Sequence, residues 1–409
     1  MSAAQQSRDG NLLYSIRSFW SRHRGKALGL AIGVMAVMAV RRTAQGFSRV
    51  AVGGIRGDVA DIFHDLVPRW FGGQPVYAYS YLAVHPPATY AILWPVFGTL
   101  DIDAARAVWI ALLTGGLAWL MYISVVETLA SSAQERVFAA LMPPCMYATL
   151  LTVSSGQFGV VILPLLICAL ILLKRNAPSW RRDILSGALL LLALVKPTVA
   201  APFVWIALVL PGGIRPVMIV FLAYAALTIL ALTFQPTDAA RLFHEWQERS
   251  HVLASTAGSA NLHRLLARFA SERWLMPVSF AAFAALGWWT YRSRTADVWL
   301  LLGVAAVFAR VWTYHRQYDD ILILLPAIAL FRLTKRASSN DGVEVLAGLL
   351  LASIIATWVA PIWLHYHVIV ARTTTLLWLA AGGFIALQTR KEMLRLKKSA
   401  VGTDFRAAG

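Results

Sequence analysis

Long apolar runs, rather than amphipathic stripes, dominate this chain. They fall at about 27–44, 105–126, 137–153, 157–173, 184–196, 198–210, 216–234, 275–291, 297–311, 319–332, 343–363 and 373–389. Such runs predict an all-α polytopic membrane protein with about twelve transmembrane helices, because a helix satisfies its own backbone polar groups in hydrocarbon. A bilayer core about 30 Å thick asks for ~20 helical residues. The 13-residue pieces flanking Lys196-Pro197 fall short of that and predict two short helices or one broken one. Pro197 has no amide to donate and pushes Lys196 out of helical angles. Backbone broken at membrane depth is tolerated only inside protein or beside a water-filled cavity.

Two stretches depart from this pattern. In 58–71, Val59, Ile62, Phe63, Leu66, Val67 and Trp70 recur at helical spacing while Asp58, Asp61 and Asp65 share the polar side, so an amphipathic helix lying along the membrane surface and ending at Gly72-Gly73 is predicted. The run PPATYAILWPVFGTL at 86–100 is apolar but opens on a proline pair and carries Pro95, which predicts a re-entrant or membrane-surface helix.

Charge then assigns the sides. With the N-terminus inside and 86–100 not spanning, every basic short loop falls on the cytoplasmic face. The inner segments 1–26, 127–136, 174–183, 211–215, 292–297, 332–344 and 389–409 hold 22 basic and 9 acidic residues, against 15 and 11 elsewhere. Most of the net charge of +17 is therefore a topology signal rather than a sign of nucleic-acid binding. The organisation that follows is a basic cytoplasmic tail over 1–26, one transmembrane domain over 27–389 with outer loops 45–104 and 235–274, and a second basic cytoplasmic tail over 390–409. No apolar core precedes Ala27, so the first membrane helix is expected to act as the targeting signal.

Composition narrows the class. Of 409 residues, 58% are hydrophobic and 14% charged, which excludes a soluble enzyme, a disordered chain and a fibrous protein. Cys145 and Cys168 both lie in apolar runs and form neither a disulfide framework nor a zinc pattern. There is no Walker loop, GxGxxG, nucleophile elbow or HExxH.

The candidate chemistry lies among polar residues that the topology gathers on the outer side. Ionisable groups near the membrane are costly and mark cavities or pathways. Asp58 heads the amphipathic helix, either as a plain N-cap or as a carboxylate base at the membrane boundary. Lys196, Arg264, His315 and Arg316 are candidate anion binders, with Lys196 either snorkelling or meeting a phosphate. In WTYHRQYDD at 312–320, Asp319 and Asp320 are expected to form internal ion pairs. Asp61, His85, Gln157, Asn261 and Arg264 are candidate acceptor-site or pocket residues. Asp58, Asp61, His64 and His85 match no metal-ligand spacing, so no metal site is assigned and no cofactor is expected.

The order of motifs resembles the polytopic GT-C glycosyltransferases, most closely glycosyltransferase family 87. The resemblance runs from Gly57-Asp58 through GGQPVY to HPPATYAILWPVFG, then SSGQFGVVILPLL at 154–166, LSGALLLLALVKPTVAAPF at 185–203 and RVWTYHRQYDDILILLPAI at 310–328. It implies transfer of one sugar, mannose in the best-known members, from a polyprenyl-phosphate donor to a lipid- or glycan-linked hydroxyl acceptor outside the cytoplasm. It places the general base at Asp58, matches Lys196 to the family's Lys-Pro position and His315 to a late-helix histidine. Where the family often carries a second histidine, Arg316 stands here. A bacterial inner-membrane location, contact with membrane lipids and no nucleic-acid partner follow from the same reading. The alternative from another class is a transporter or flippase for a lipid-linked saccharide, which is expected to show repeat symmetry that this sequence lacks.

Overall fold

The computed structural model describes residues 3–52, 59–80, 82–256, 262, 274–336 and 342–407. Among them the chain is all helical. The α-helices are α1 (Ala3–Val52), α2 (Val59–Phe71), α3 (Val76–Tyr79), α4 (Pro87–Phe97), α5 (Ile102–Glu127), α6 (Ala133–Cys145), α7 (Tyr147–Ser154), α8 (Gly159–Arg175), α9 (Trp180–Ala193), α10 (Pro197–Val209), α11 (Ile214–Leu232), α12 (Ala239–Thr256), α13 (Leu275–Arg292), α14 (Val298–Trp312), α15 (Leu324–Arg336), α16 (Val343–Val359) and α17 (Val368–Ala407). Two 3-10 helices, η1 (Gln317–Ile323) and η2 (Ile362–Tyr366), interrupt the last third.

Each of the twelve apolar segments is helical over most of its length, but they are not equal. Four helices are long and apolar enough to cross a bilayer: Gly25–Val52 of α1, α5, α11 and Val368–Arg395 of α17. The pair α6 and α7 makes a fifth, bent by 46° at Met146. Twelve full-length crossings are not seen among the described residues. The physical reason is burial: α10 packs on α8 and α14, α14 on α15, and α8, α14 and α15 on η1, so short and broken helices are sheltered by protein instead of lipid.

The outer helices carry the opposite signature. Leu30 of α1, Phe221 and Ile229 of α11, Phe280 and Trp288 of α13 and Leu376 of α17 are each more than 60% exposed. Large apolar side chains turned outward on several helices form a surface suited to acyl chains rather than water. This is an integral membrane protein.

The amphipathic helix forms where its pattern placed it. α2 buries Val59, Phe63, Leu66, Val67 and Trp70, with Ile62 half-buried, and stops at Gly72-Gly73, where Gly73 takes φ +72°. Its buried face is held by protein: the Trp70 ring stacks on Tyr90 of α4 at 4.4 Å, and Trp70 Nε1 donates to the Ala231 carbonyl of α11 at 2.9 Å. α4 itself packs on α2 and α11.

The short helix α14 separates two polar ends. At its N-terminus Asp297 caps the helix through Trp299 N and accepts from Arg332 at 2.6 Å and from Arg336, while Glu127 accepts from Trp299 Nε1 at 2.8 Å and from Arg175. Nearby chain segments are clamped by the buried Arg182, which bonds Asp183 and donates to the carbonyls of Asn176 (2.9 Å) and Pro211 (3.1 Å). All of these residues except Trp299 belong to segments whose charge assigned them to one face. The 15 residues of α14 rise by about 22 Å to its other end, where a different set of polar groups converges.

Candidate active site

That second set is built around a break in the chain. α9 ends at Ala193, and Lys196 (φ −127°, ψ 85°) is the N-cap of α10, with Pro197 in the first helical position. A proline there removes no needed amide, and the residue before it is driven out of helical angles, so the Lys-Pro pair creates the break. The break is tied from outside. Thr89 of α4 donates its hydroxyl to the Val195 carbonyl at 2.9 Å.

Lys196 points at η1. Its Nζ lies 2.6 Å from Asp319 Oδ1 and 4.9 Å from the centroid of the Tyr318 ring. The other Asp319 oxygen, Oδ2, lies 3.0 Å from His315 Nδ1. His315 is fully buried, and its Nε2 faces the Thr313 hydroxyl at 3.4 Å. One carboxylate thus joins two elements far apart in sequence, with each oxygen taking a separate partner. The neighbouring Asp320 points the other way and is held by Arg310 and the Tyr147 hydroxyl, so the two aspartates form internal ion pairs with different duties. Arg316 directs Nε to the Tyr314 hydroxyl at 2.5 Å.

His85 approaches from the loop before α4. Its ring packs against Phe63 at 5.1 Å and Phe158 at 5.9 Å, and its Nδ1 is buried with no hydrogen-bond partner among the described residues. Burial pushes the imidazole down to about 3; the nearby Lys196 adds to this and Asp319 opposes it. The loop is fastened on both sides: Tyr77 donates to the His85 carbonyl at 2.7 Å, and Trp246 of α12 donates to the Val84 carbonyl at 2.9 Å.

The Ser155-Gly156-Gln157 turn supports η1 and α2 together. Gly156 takes φ +60°, a conformation that side chains disfavour, which lets the chain reverse into α8. Its carbonyl accepts from Trp109 Nε1 at 2.6 Å, and the Ser155 carbonyl accepts from Val59 N at 3.1 Å. The backbone N–H of Gln157 donates to Thr152 O at 2.7 Å, and Thr152 donates its hydroxyl to Tyr318 O at 2.9 Å. At Gly159 an added Cβ would stand 2.6 Å from Ile321 Cγ2, so this glycine permits close docking of α8 on η1.

Of the residues singled out in the sequence, Lys196 and His315 meet on Asp319, with His85 close enough to feel both charges of the Lys196–Asp319 pair. Gln157 belongs to the turn beneath η1. Asp61 is engaged elsewhere, in an ion pair with Arg106 of α5 at 2.6 Å that ties α2 to α5. Asp58, Asn261 and Arg264 lie outside the described residues. Thr89 and Tyr318 were not singled out; a threonine and a tyrosine near apolar runs carry no sequence signal of their own. The bridging role of Asp319 had one, its i, i+4 spacing from His315.

The chain is thus a helical membrane protein with a Lys–Asp–His cluster at one end of α14. The family model for glycosyltransferase family 87 matches residues 83–320, more than half of the chain, and the protein belongs to that family. It is a membrane glycosyltransferase, with a sugar donor and an acceptor as its substrates. The matched region contains His85, the Gly156-Gln157 turn, Lys196 and the His315–Asp319 segment, and begins after Asp58. No curated protein and no solved structure matches the chain significantly.

Proposed function

We propose that the protein transfers a single sugar, mannose, from a polyprenyl-phosphate donor to a hydroxyl of a lipid- or glycan-linked acceptor on the extracytoplasmic side of a bacterial inner membrane. The observation that carries this reading is the cluster of half-buried Lys196 with buried Asp319 and His315, near His85, drawn from three parts of the family match. Its position at the end of α14 opposite the Asp297–Arg332 network supports an outward-facing site with both termini cytoplasmic.

The acceptor oxygen attacks the anomeric carbon, the bond from that carbon to the phosphate oxygen breaks, and polyprenyl phosphate leaves. The hydroxyl proton goes to the carboxylate of Asp58. Negative charge grows on the departing phosphate, where the cations Lys196 and Arg316, together with His315, offer stabilisation. A lysine ammonium has three donors; with one on Asp319, two serve a ligand. The acceptor is assigned to His85 and Gln157 with the sequence candidates Asn261 and Arg264, while Asp61, held by Arg106, serves to fix α2 on α5. One displacement from a β-linked donor gives an α-linked product. No cofactor is invoked, since the leaving group is met by side-chain cations.

The test is transfer by purified protein offered polyprenyl-phosphate sugars of several kinds, with nucleotide sugars as controls. Product from polyprenyl-phosphate mannose is expected. Transfer from nucleotide sugars alone would overturn the donor assignment.

A further inference from the structure

Lys196 and His315 share the carboxylate of Asp319, which constrains them differently. A lysine that gives one proton to a carboxylate keeps two more, and its direction is fixed by the contact. An imidazole has one proton when neutral. His315 Nδ1 stands 3.0 Å from Asp319 Oδ2, and an ionised carboxylate only accepts, so the proton sits on Nδ1. Nε2 then carries a lone pair and cannot donate to a phosphate oxygen. Its neighbour fits this assignment, since the Thr313 hydroxyl, 3.4 Å away, is a group able to donate to it. Burial, the dominant influence, lowers the proton affinity of His315, opposed by the bond from Asp319. A neutral ring is thus favoured.

We propose that Asp319 is the positioning residue of the transfer site: it aims Lys196 at the donor's phosphate and locks His315 in the Nδ1-protonated form, so that Nε2, met here by the Thr313 hydroxyl, exchanges that partner for a substrate hydroxyl, and Lys196, not His315, meets the phosphate. This rests on the polyprenyl-phosphate reading and refines it.

The geometry makes an unusual demand on substitutions. Asp319→Asn is nearly isosteric, but an amide has one acceptor and one donor end. With the oxygen kept toward the Lys196 ammonium, the NH2 faces His315 Nδ1 and drives the proton to Nε2. The hydroxyl acceptor is lost although the fold and the Lys196 contact remain. This parallels the effect of replacing the aspartate of a Ser-His-Asp triad by asparagine, which leaves geometry intact and reverses the tautomer.

The experiment uses the full chain in detergent, with histidine ring nitrogens labelled with 15N and the His315 signals assigned by their loss in His315→Gln. Wild type should give the Nδ1-protonated pattern without any donor present, and Asp319→Asn the Nε2-protonated one. Sugar transfer by Asp319→Asn should fall at least a hundredfold in kcat while donor KM changes less than tenfold, and Asp319→Glu, which restores two acceptors, should recover part of the loss. An Nε2-protonated or doubly protonated His315 in wild type, or wild-type kcat in Asp319→Asn, would overturn the proposal. If Asp319→Asn does not fold, the tautomer of wild type and the activity of Asp319→Glu still decide it. Failure of wild type to use a polyprenyl-phosphate sugar would instead sink the functional reading, and the donor-free spectra keep the two failures apart.

Discussion

The Thr89 hydroxyl on α4 donates to the Val195 carbonyl at 2.9 Å, one residue before Lys196 at the break between α9 and α10. Thr89 is fully buried, so neither partner has water to fall back on. Thr89→Val keeps the shape and leaves the carbonyl unpaired, at a cost of about 1–3 kcal/mol. A lower thermal midpoint is expected, together with a fall in sugar transfer per folded molecule, because the same carbonyl sets the direction from which Lys196 leaves the chain. Unchanged transfer in the folded variant would show that the break needs no outside tie.

Removing Lys196 should do more harm than removing the pair. Lys196→Met strands the buried Asp319 carboxylate beside a neutral imidazole, and breaking a buried ion pair in this way costs about 3–5 kcal/mol. Adding Asp319→Asn removes the stranded charge. The double variant is expected to regain most of the stability, read by thermal unfolding in detergent, and none of the transfer. Equal stability of the single and double variants would argue that Asp319 is satisfied without Lys196.

His85 makes the fold sensitive to acid. Above about pH 6.5 both the folded and unfolded chains hold this imidazole neutral. Below that, the unfolded chain takes up a proton that the folded chain refuses until about pH 3, so stability falls as pH drops through this window. His85→Gln cannot titrate. Its stability, measured between pH 7 and pH 4, should decline less steeply than that of wild type, and parallel profiles would count against a buried neutral His85.

The sidedness has its own test. A cysteine replacing the exposed Ala177, in a background lacking Cys145 and Cys168, should resist an impermeant thiol reagent in intact cells and react after permeabilisation. Labelling from outside would reverse the orientation and put the Lys196–Asp319 cluster on the cytoplasmic face.

What the residues disclosed before the structure depended on how local the cause was. The helix over 59–71, its stop at Gly72-Gly73 and the break at Lys196-Pro197 were legible because spacing, glycine and proline act on their own neighbours. The number of crossings was not. Apolar runs such as 198–210 and 297–311 look alike in sequence whether lipid or protein surrounds them, and here α10 and α14 are sheltered by other helices. In the site, the residue types at 85, 196 and 315 stood out because charged and imidazole groups are costly near hydrocarbon. The joining of Lys196 to His315 through Asp319 spans 123 residues from Lys196 to the carboxylate, and no local rule reports such a pairing. Nor does one report that Asp61 is taken by Arg106.

The stereochemistry of transfer, with Asp58 present and absent, bears most directly on the whole reading. Purified wild type given β-linked polyprenyl-phosphate mannose should yield an α-linked mannoside, and Asp58→Asn, expressed and folded as wild type, should lose 10²-fold or more of the rate, as expected when a general base is removed. A β-linked product, or wild-type turnover by Asp58→Asn, would contradict a single displacement assisted by that carboxylate.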